Sequence, residues 1–417
     1  MESSHTKSSP SLFDRAHEFF APGSEYETVN HLGLYPYFRA IERNEGTRAI
    51  IHGREIIMAG SNNYLGLTSD PRVKKAATDA IEKYGTGCTG SRFLNGTLDI
   101  HIELEEKLAE YMGKDTCCLF STGYMTNQGV IQSITSKGDT IFSDKDNHAC
   151  IVAGTQVSLA DTMRFQHNDM DRLRVQMERS QVDNPDGKRL IVSDGVFSMS
   201  GIIAQVPALV DLAGEFDAAL MLDDAHAFGV IGPGGRGSAA SYGDEVVDSV
   251  HLVTGTFSKS FASLGGFVVG SSDVINFIRH FSSTHVFSAS MPPANVATVL
   301  KCLEILKAEP ERLDRLWEIS DYMRQGFADA GFNVWSSQSP IIPVVVGDMM
   351  TCFRFWNDLL NEGVFVNAVI PPAVPKGQSL MRTSYMATHT DDELNAILDA
   401  FRRVGLRHGV IGSNGAP

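Results

Sequence analysis

A lysine stands among hydroxyls and glycines in Gly255-Thr256-Phe257-Ser258-Lys259-Ser260, with Gly265-Gly266 closing the stretch. An apolar run, Val250 to Val253 broken only by His251, leads in, and Phe267-Val268-Val269 leads out. The pattern predicts that Lys259 lies on a turn between two buried strands. An amine held there is partly desolvated, which lowers its pKa and prepares it to form a Schiff base with a carbonyl. An ordinary loop lysine between strands has the same local spacing, so the chemistry must be read from its surroundings.

Upstream, the apolar stretch Ala218 to Leu222 ends in Asp223, with His226 three residues later. A carboxylate at the C-terminal end of a strand lies where open α/β sheets bind their ligands. An acid, a His and a glycine-flanked lysine at successive strand ends are the equipment of pyridoxal phosphate (PLP) chemistry: the lysine carries the cofactor, and the acid keeps its ring nitrogen protonated. The phosphate needs a separate anchor. Cys117 to Phe120 reads as a buried strand, and Ser121-Thr122-Gly123-Tyr124 turns from it into a helix whose first N–H groups form a natural anion site. His148 follows the strand Thr140–Asp144, where an imidazole can stack on an aromatic cofactor or simply cap a helix. Leu190-Ile191-Val192-Ser193 leads into Asp194 and on to Ser198. The polar turn Ser61 to Leu67 offers Asn63 as a candidate substrate ligand, though a purely structural loop fits equally.

These residues need an α/β frame. Strands alternating with helices through Phe267 predict a mainly parallel, doubly wound sheet with every candidate at one edge. Helical periodicity covers Pro71–Tyr84 and Asp99–Met112. After Met291-Pro292-Pro293 the alternation thins: helices are expected over Asn295–Ala308, Leu313–Phe332, Met350–Glu362 and Thr390–Val404, with strands at Ile341–Val346, Val364–Val369 and Ser379–Ser384. Three regions follow: an N-terminal arm and short hairpin over 1–60, a large cofactor domain over 61–293, and a smaller C-terminal α+β domain over 294–417. In the arm, Ser11 to Arg48 is read as helical with a break at Pro22-Gly23, and Ile50 to Ala59 as a hairpin turning at Gly53. Met1 to Pro10 is Ser-rich without an apolar core and reads as a disordered leader rather than a secretory signal.

The 417-residue chain is 43% hydrophobic and 20% charged, the balance of a globular protein with room for more than one core. A net charge of −15 disfavours nonspecific nucleic-acid binding. No apolar run reaches the roughly 18 residues that cross a bilayer, which leaves at most peripheral membrane association. Six cysteines without a C-x-x-C pair favour reduced thiols in a cytoplasmic protein, and the scattered histidines argue against a metal site.

With these pieces assembled, the sequence resembles the α-oxoamine synthases, fold-type I PLP enzymes that condense an amino acid with an acyl-CoA and release CO2. The resemblance runs from the Asn62-Tyr64 turn to the last helix. It rests on Gly90-Ser91-Arg92-Phe93-Leu94-Asn95-Gly96-Thr97, Phe120-Ser121-Thr122-Gly123-Tyr124, Gly255-Thr256-Phe257-Ser258-Lys259-Ser260 and Met386-Ala387-Thr388-His389-Thr390. It implies Lys259 as the cofactor-bearing lysine, Asp223 at the pyridine nitrogen, His226 near the phenolic oxygen and His148 against the ring. Gly123, Tyr124, Thr256 and Ser258 would hold the cofactor, mainly its phosphate, and Ser198 would approach it. Ser288 would reach the phosphate from the neighbouring subunit of a homodimer, and Arg382 would grip the substrate carboxylate.

The Phe-Ser-Lys-Ser form of the lysine loop resembles members that join L-serine to palmitoyl-CoA, yielding 3-ketodihydrosphingosine, CoA and CO2, the first step of sphingolipid synthesis. Members making 8-amino-7-oxononanoate or 2-amino-3-ketobutyrate, or a non-catalytic partner subunit, are the alternatives. Two positions depart from the family pattern. Ile370 stands where some members carry an Arg before Pro371-Pro372, and Ile202 stands where an acid is common.

Overall fold

The computed structural model describes residues 11–412; the leader expected over Met1–Pro10 lies outside them. Seven strands form the central sheet, in the order Thr116–Phe120, Gly266–Gly270, Leu252–Thr256, Ala219–Asp223, Arg189–Asp194, Thr140–Asp144, Asp161–Phe165. From Leu252–Thr256 to the Asp161–Phe165 edge, every neighbour pairs in parallel. Gly266–Gly270 runs antiparallel to both its neighbours. Residues 257–265 are fewer than the dozen or so that a parallel crossover needs, so the chain turns straight back.

Both faces of this sheet are covered, which is why its strands read as unbroken apolar runs. Alternate residues enter opposite cores: Leu119, Phe142, Ile191, Leu222 and Phe267 join one cluster, and Cys118, Ile141, Val192, Met221 and Val268 join the other. Register sets the edge where the site forms. Asp194 pairs with Asp223, Asp223 with Thr254, and Gly266 with both Thr256 and Phe120.

The smaller body has an antiparallel sheet, Ile341–Gly347, Ser379–Ser384 and Asn367–Val369, in the order first, second, third. Helices Glu311–Asp329, Met349–Asn361 and Asp391–Arg407 pack on it around Phe327, Phe355, Trp356 and Phe401. A capping box between Thr390 and Glu393 starts the last helix.

Three expectations are corrected. The arm is helical only over Asp14–Phe19 and Glu25–His31; beyond it Phe38 adopts a left-handed φ of 57°, and the chain enters a strand at Arg43–Glu45. Arg48–Ile51 and Arg54–Met58 pair as a hairpin turning at Gly53, flanked by Arg43–Glu45 on one side and, in parallel, by Val364–Phe365 on the other. Val364–Val369 is therefore two strands in two sheets, split at Val366, whose carbonyl accepts from Trp356 Nε1 at 2.9 Å. Finally, the packing does not change at residue 293. Val296, Val299, Cys302, Leu303 and Leu306 of helix Pro293–Ala308 lie in the core of the large body, so the small one begins after that helix.

Candidate active site

The lysine loop is pinned from both sides. Phe257 stacks on Phe267 with ring centroids 5.5 Å apart, and Phe261 on Phe228 at 4.2 Å, all of them buried. Between these anchors Ser263 N–H donates to the Phe257 carbonyl at 2.9 Å and Ala262 N–H to that of Lys259 at 3.1 Å. Lys259 is thus held on a rigid turn. It lines a cavity of about 280 Å³ together with Gly123, Tyr124, His148, Ser198, Asp223, His226, Thr256 and Ser258. Every cofactor residue named from the sequence is there except Ser288, which lines a separate small cleft with Ser121 and Met291.

Burial dominates the electrostatics of this cavity. It lowers the Lys259 amine to about 8, against the pull of Asp223 and Asp194 in the opposite direction. Burial pushes His226 well below its usual range, with the positive charges of Lys259 and Arg382 adding to the effect. Its Nδ1 lies 2.8 Å from the Tyr64 hydroxyl. His148 is also lowered, by burial first. Asp194 is pushed up by burial and by neighbouring Asp223, and its Oδ2 accepts from the His148 backbone N–H at 3.0 Å. The lysine and both imidazoles therefore all favour their neutral forms relative to water.

One end of the cavity suits a phosphate. Thr122 caps helix Gly123–Ile134 by accepting from Met125 N–H at 3.1 Å, leaving the N–H groups of Gly123 and Tyr124 without intrahelical partners. Thr256 Oγ1 and Ser258 Oγ sit 2.9 Å apart beside them. A side chain at 123 is excluded: its Cβ would lie 2.7 Å from Thr256 Cβ. Free N–H groups at a helix start, two hydroxyls and a glycine for close approach are the donor set for an anion. With the desolvated amine and the carboxylate of Asp223 in the same cavity, the residues fit PLP.

Arg382 arrives from the small body on strand Ser379–Ser384. Its Nε donates to the Ser198 carbonyl at 2.6 Å and its Nη1 to Asn62 Oδ1 at 3.1 Å. Its Nη2 is buried with no partner among the described residues, a donor suited to a carboxylate. Asn63, expected to bind substrate, is corrected: its Nδ2 donates to Thr68 Oγ1 at 2.8 Å and its Oδ1 accepts from Leu67 N–H at 3.1 Å, so its amide is engaged in the turn. Ile370 packs against the second core, leaving Arg382 as the cation beside Ser198.

Sequence reasoning missed Asn62, Tyr64, Asn127 and Cys150. Tyr64 is far from His226 in the chain, and nothing local marks it. Asn127 carried a signal that went unused: it is a polar residue one helical turn after Gly123, facing the strand that bears Asp223.

Residues 54–401 match the family model described as aminotransferase class I and II. The chain is 48% identical to serine palmitoyltransferase of Sphingobacterium spiritivorum, over 91% of this chain and 94% of that one. It is 40% identical to 8-amino-7-oxononanoate synthase of Symbiobacterium thermophilum, over 93% and 98%. A solved structure of serine palmitoyltransferase with its PLP internal aldimine superposes with a TM-score of 0.92 at 34% identity, covering 96% of this chain and all of that one.

Proposed function

We propose, for a chain that belongs to the class I and II aminotransferase family and within it to the α-oxoamine synthases, that it binds PLP and joins L-serine to palmitoyl-CoA, releasing CoA and CO2 and giving 3-ketodihydrosphingosine. The observation that carries the reading is that Lys259, Asp223, His148 and His226 line a single cavity beside a helix N-terminus. The relatives at 45–48% identity are serine palmitoyltransferases, whereas the 8-amino-7-oxononanoate synthases lie at 40% or below.

Lys259 would carry the cofactor, Asp223 would hold the proton on its ring nitrogen, and His148 would pack on the ring. His226 would face its phenolic oxygen, and Thr256, Ser258, Gly123 and Tyr124 would take its phosphate. Bound PLP supplies an electron sink for the bonds at the amino acid Cα. Arg382 orients serine through its carboxylate. Lys259, its amine drawn toward the neutral form by burial, would take the Cα proton and later return one. The electron pair left at Cα forms the new bond to the thioester carbonyl carbon, CoA departs as its thiol, and the C–CO2 bond breaks.

The half-buried Ser288 lies outside the cavity, and Phe13, Phe20 and Phe38 of the N-terminal arm are exposed. Both features support a homodimer in which each subunit lends Ser288 to the other. No helix among the described residues is long and apolar enough to cross a membrane. The acyl-CoA substrate and free cysteines point to the cytoplasm. Mass spectrometry of products from serine, alanine and glycine against acyl-CoAs of graded length tests the reading. Serine with the C16 thioester is expected to give the dominant product; dominance of alanine or glycine with a short acyl-CoA would sink it.

A further inference from the structure

In the wall of the cavity and just behind it lies a set of buried polar side chains with no assigned role. Asn127 is 2% exposed on helix Gly123–Ile134. Its Nδ2 donates to Asp223 Oδ2 at 2.6 Å and to Cys150 Sγ at 3.0 Å. Its Oδ1 accepts from Thr254 Oγ1 at 2.7 Å, and Thr254 is 1% exposed on the strand next to Asp223. The thiol of Cys150 lies 2.9 Å from His148 Nδ1, which also accepts from the Cys150 backbone N–H at 3.3 Å. Asp223 Oδ1 accepts from Ala225 N–H at 2.9 Å.

These bonds have one consistent direction. Thr254 donates to the amide oxygen, which turns both amide hydrogens toward the carboxylate and the sulfur. A flipped amide would set its oxygen against Asp223 Oδ2 and leave Thr254 only the Leu222 carbonyl, 3.4 Å away. With Asn127 donating to its sulfur, the thiol proton has His148 Nδ1 as its near acceptor. That nitrogen then faces two donors, and the ring proton belongs on Nε2. Burial keeps the thiol protonated and the imidazole neutral, in agreement with this polarity.

Building on the site reading above, we infer that Thr254, Asn127 and Cys150 are positioning residues: one polarised hydrogen-bond chain that orients the Asp223 carboxylate and selects the His148 tautomer together. Thr254 lies behind the cavity wall, and Asn127 and Cys150 form part of it. They act by holding the two side chains assigned to the ring, as outer partners do around other sites.

The test uses the PLP-loaded protein with Thr254→Val, Thr254→Ser, Asn127→Ala, Cys150→Ala and Cys150→Ser. Thr254→Val keeps shape and removes only the donor. It is expected to weaken PLP affinity by about tenfold, the lower range for loss of an outer hydrogen-bond partner. It should also move the pH midpoint of the visible absorbance band and lower kcat more than KM for serine. Thr254→Ser and Cys150→Ser restore wild-type values; Cys150→Ala shifts the band midpoint. Wild-type PLP affinity and band midpoint in both Thr254→Val and Asn127→Ala, whatever their melting temperatures, would make the network merely structural and overturn the inference alone. A wild-type chain that takes up no PLP overturns the site reading and this inference with it.

Discussion

Replacing Lys259 by Met should abolish turnover yet stabilise the cofactor-free protein at neutral pH. Burial draws the amine from an ordinary 10.5 down to about 8. At about 1.4 kcal/mol per pH unit, holding the proton in the folded state at pH 7 costs about 3 kcal/mol relative to the unfolded chain. Met has a similar unbranched length and no charge to desolvate. Between pH 8 and pH 10.5 the unfolded chain binds more protons than the folded one, so wild-type stability rises with pH across that window. The advantage of Met must shrink over the same range. An unfolding entropy of roughly 2.1 cal/mol/K per residue gives about 0.9 kcal/mol/K for this 417-residue chain, so the gain at pH 7 is about 3 °C. Thermal melts of both cofactor-free proteins at pH 7 and pH 10 read it directly. An equal or lower melting temperature for Lys259→Met at pH 7, or a gain undiminished at pH 10, would refute the argument that this lysine is held desolvated at a cost in stability.

Three further outcomes follow from the same geometry. Gly123→Ala drives a Cβ to 2.7 Å from Thr256 Cβ, an overpacking of about 1–3 kcal/mol, and titration with PLP should show affinity down by about tenfold or more. Arg382→Lys keeps the charge but loses the fork, so the serine dissociation constant should rise by about tenfold while KM for acyl-CoA holds; equal effects on both would remove Arg382 from the serine carboxylate. Glu105 is buried between Arg92 at 3.0 Å and Arg279 at 3.3 Å and accepts from Leu119 N–H at 3.0 Å. Glu105→Ala leaves two guanidinium groups facing each other and should cost about 3–5 kcal/mol; a melting temperature within a degree of wild type would contradict that.

The large body was legible because its strands are buried on both faces and therefore appear as apolar runs ending in Asp144, Asp194 and Asp223. The exception is instructive. Strand Asp161–Phe165 lies at the sheet edge with only Phe165 buried, so its sequence, Asp-Thr-Met-Arg-Phe, carries no apolar run to read. The arm failed for a related reason. Phe13, Phe20 and Phe38 suggest a helical stripe, but all three are exposed in the single chain, and Phe20 packs on Phe19 and Tyr26 of the arm itself. Asn62 and Asn63 show the limit within the site itself, since neighbouring residues of the same type take different partners: one bonds Arg382 and the other closes a turn.

What the chain's order of residues determined by itself was the inventory: a lysine on a short return between buried strands, an acid at the end of the strand before those two, and a glycine-led helix after another. Those follow from local periodicity and from a connection too short to cross over. The tertiary structure decided what each of these groups meets. Strand register set Asp223 beside Thr254, packing of the small body brought Arg382 to Ser198, and helix placement put Asn127 against the carboxylate. Such contacts join residues far apart in the chain, 96 positions for Asn127 and Asp223 and 184 for Arg382 and Ser198, and no local spacing encodes them.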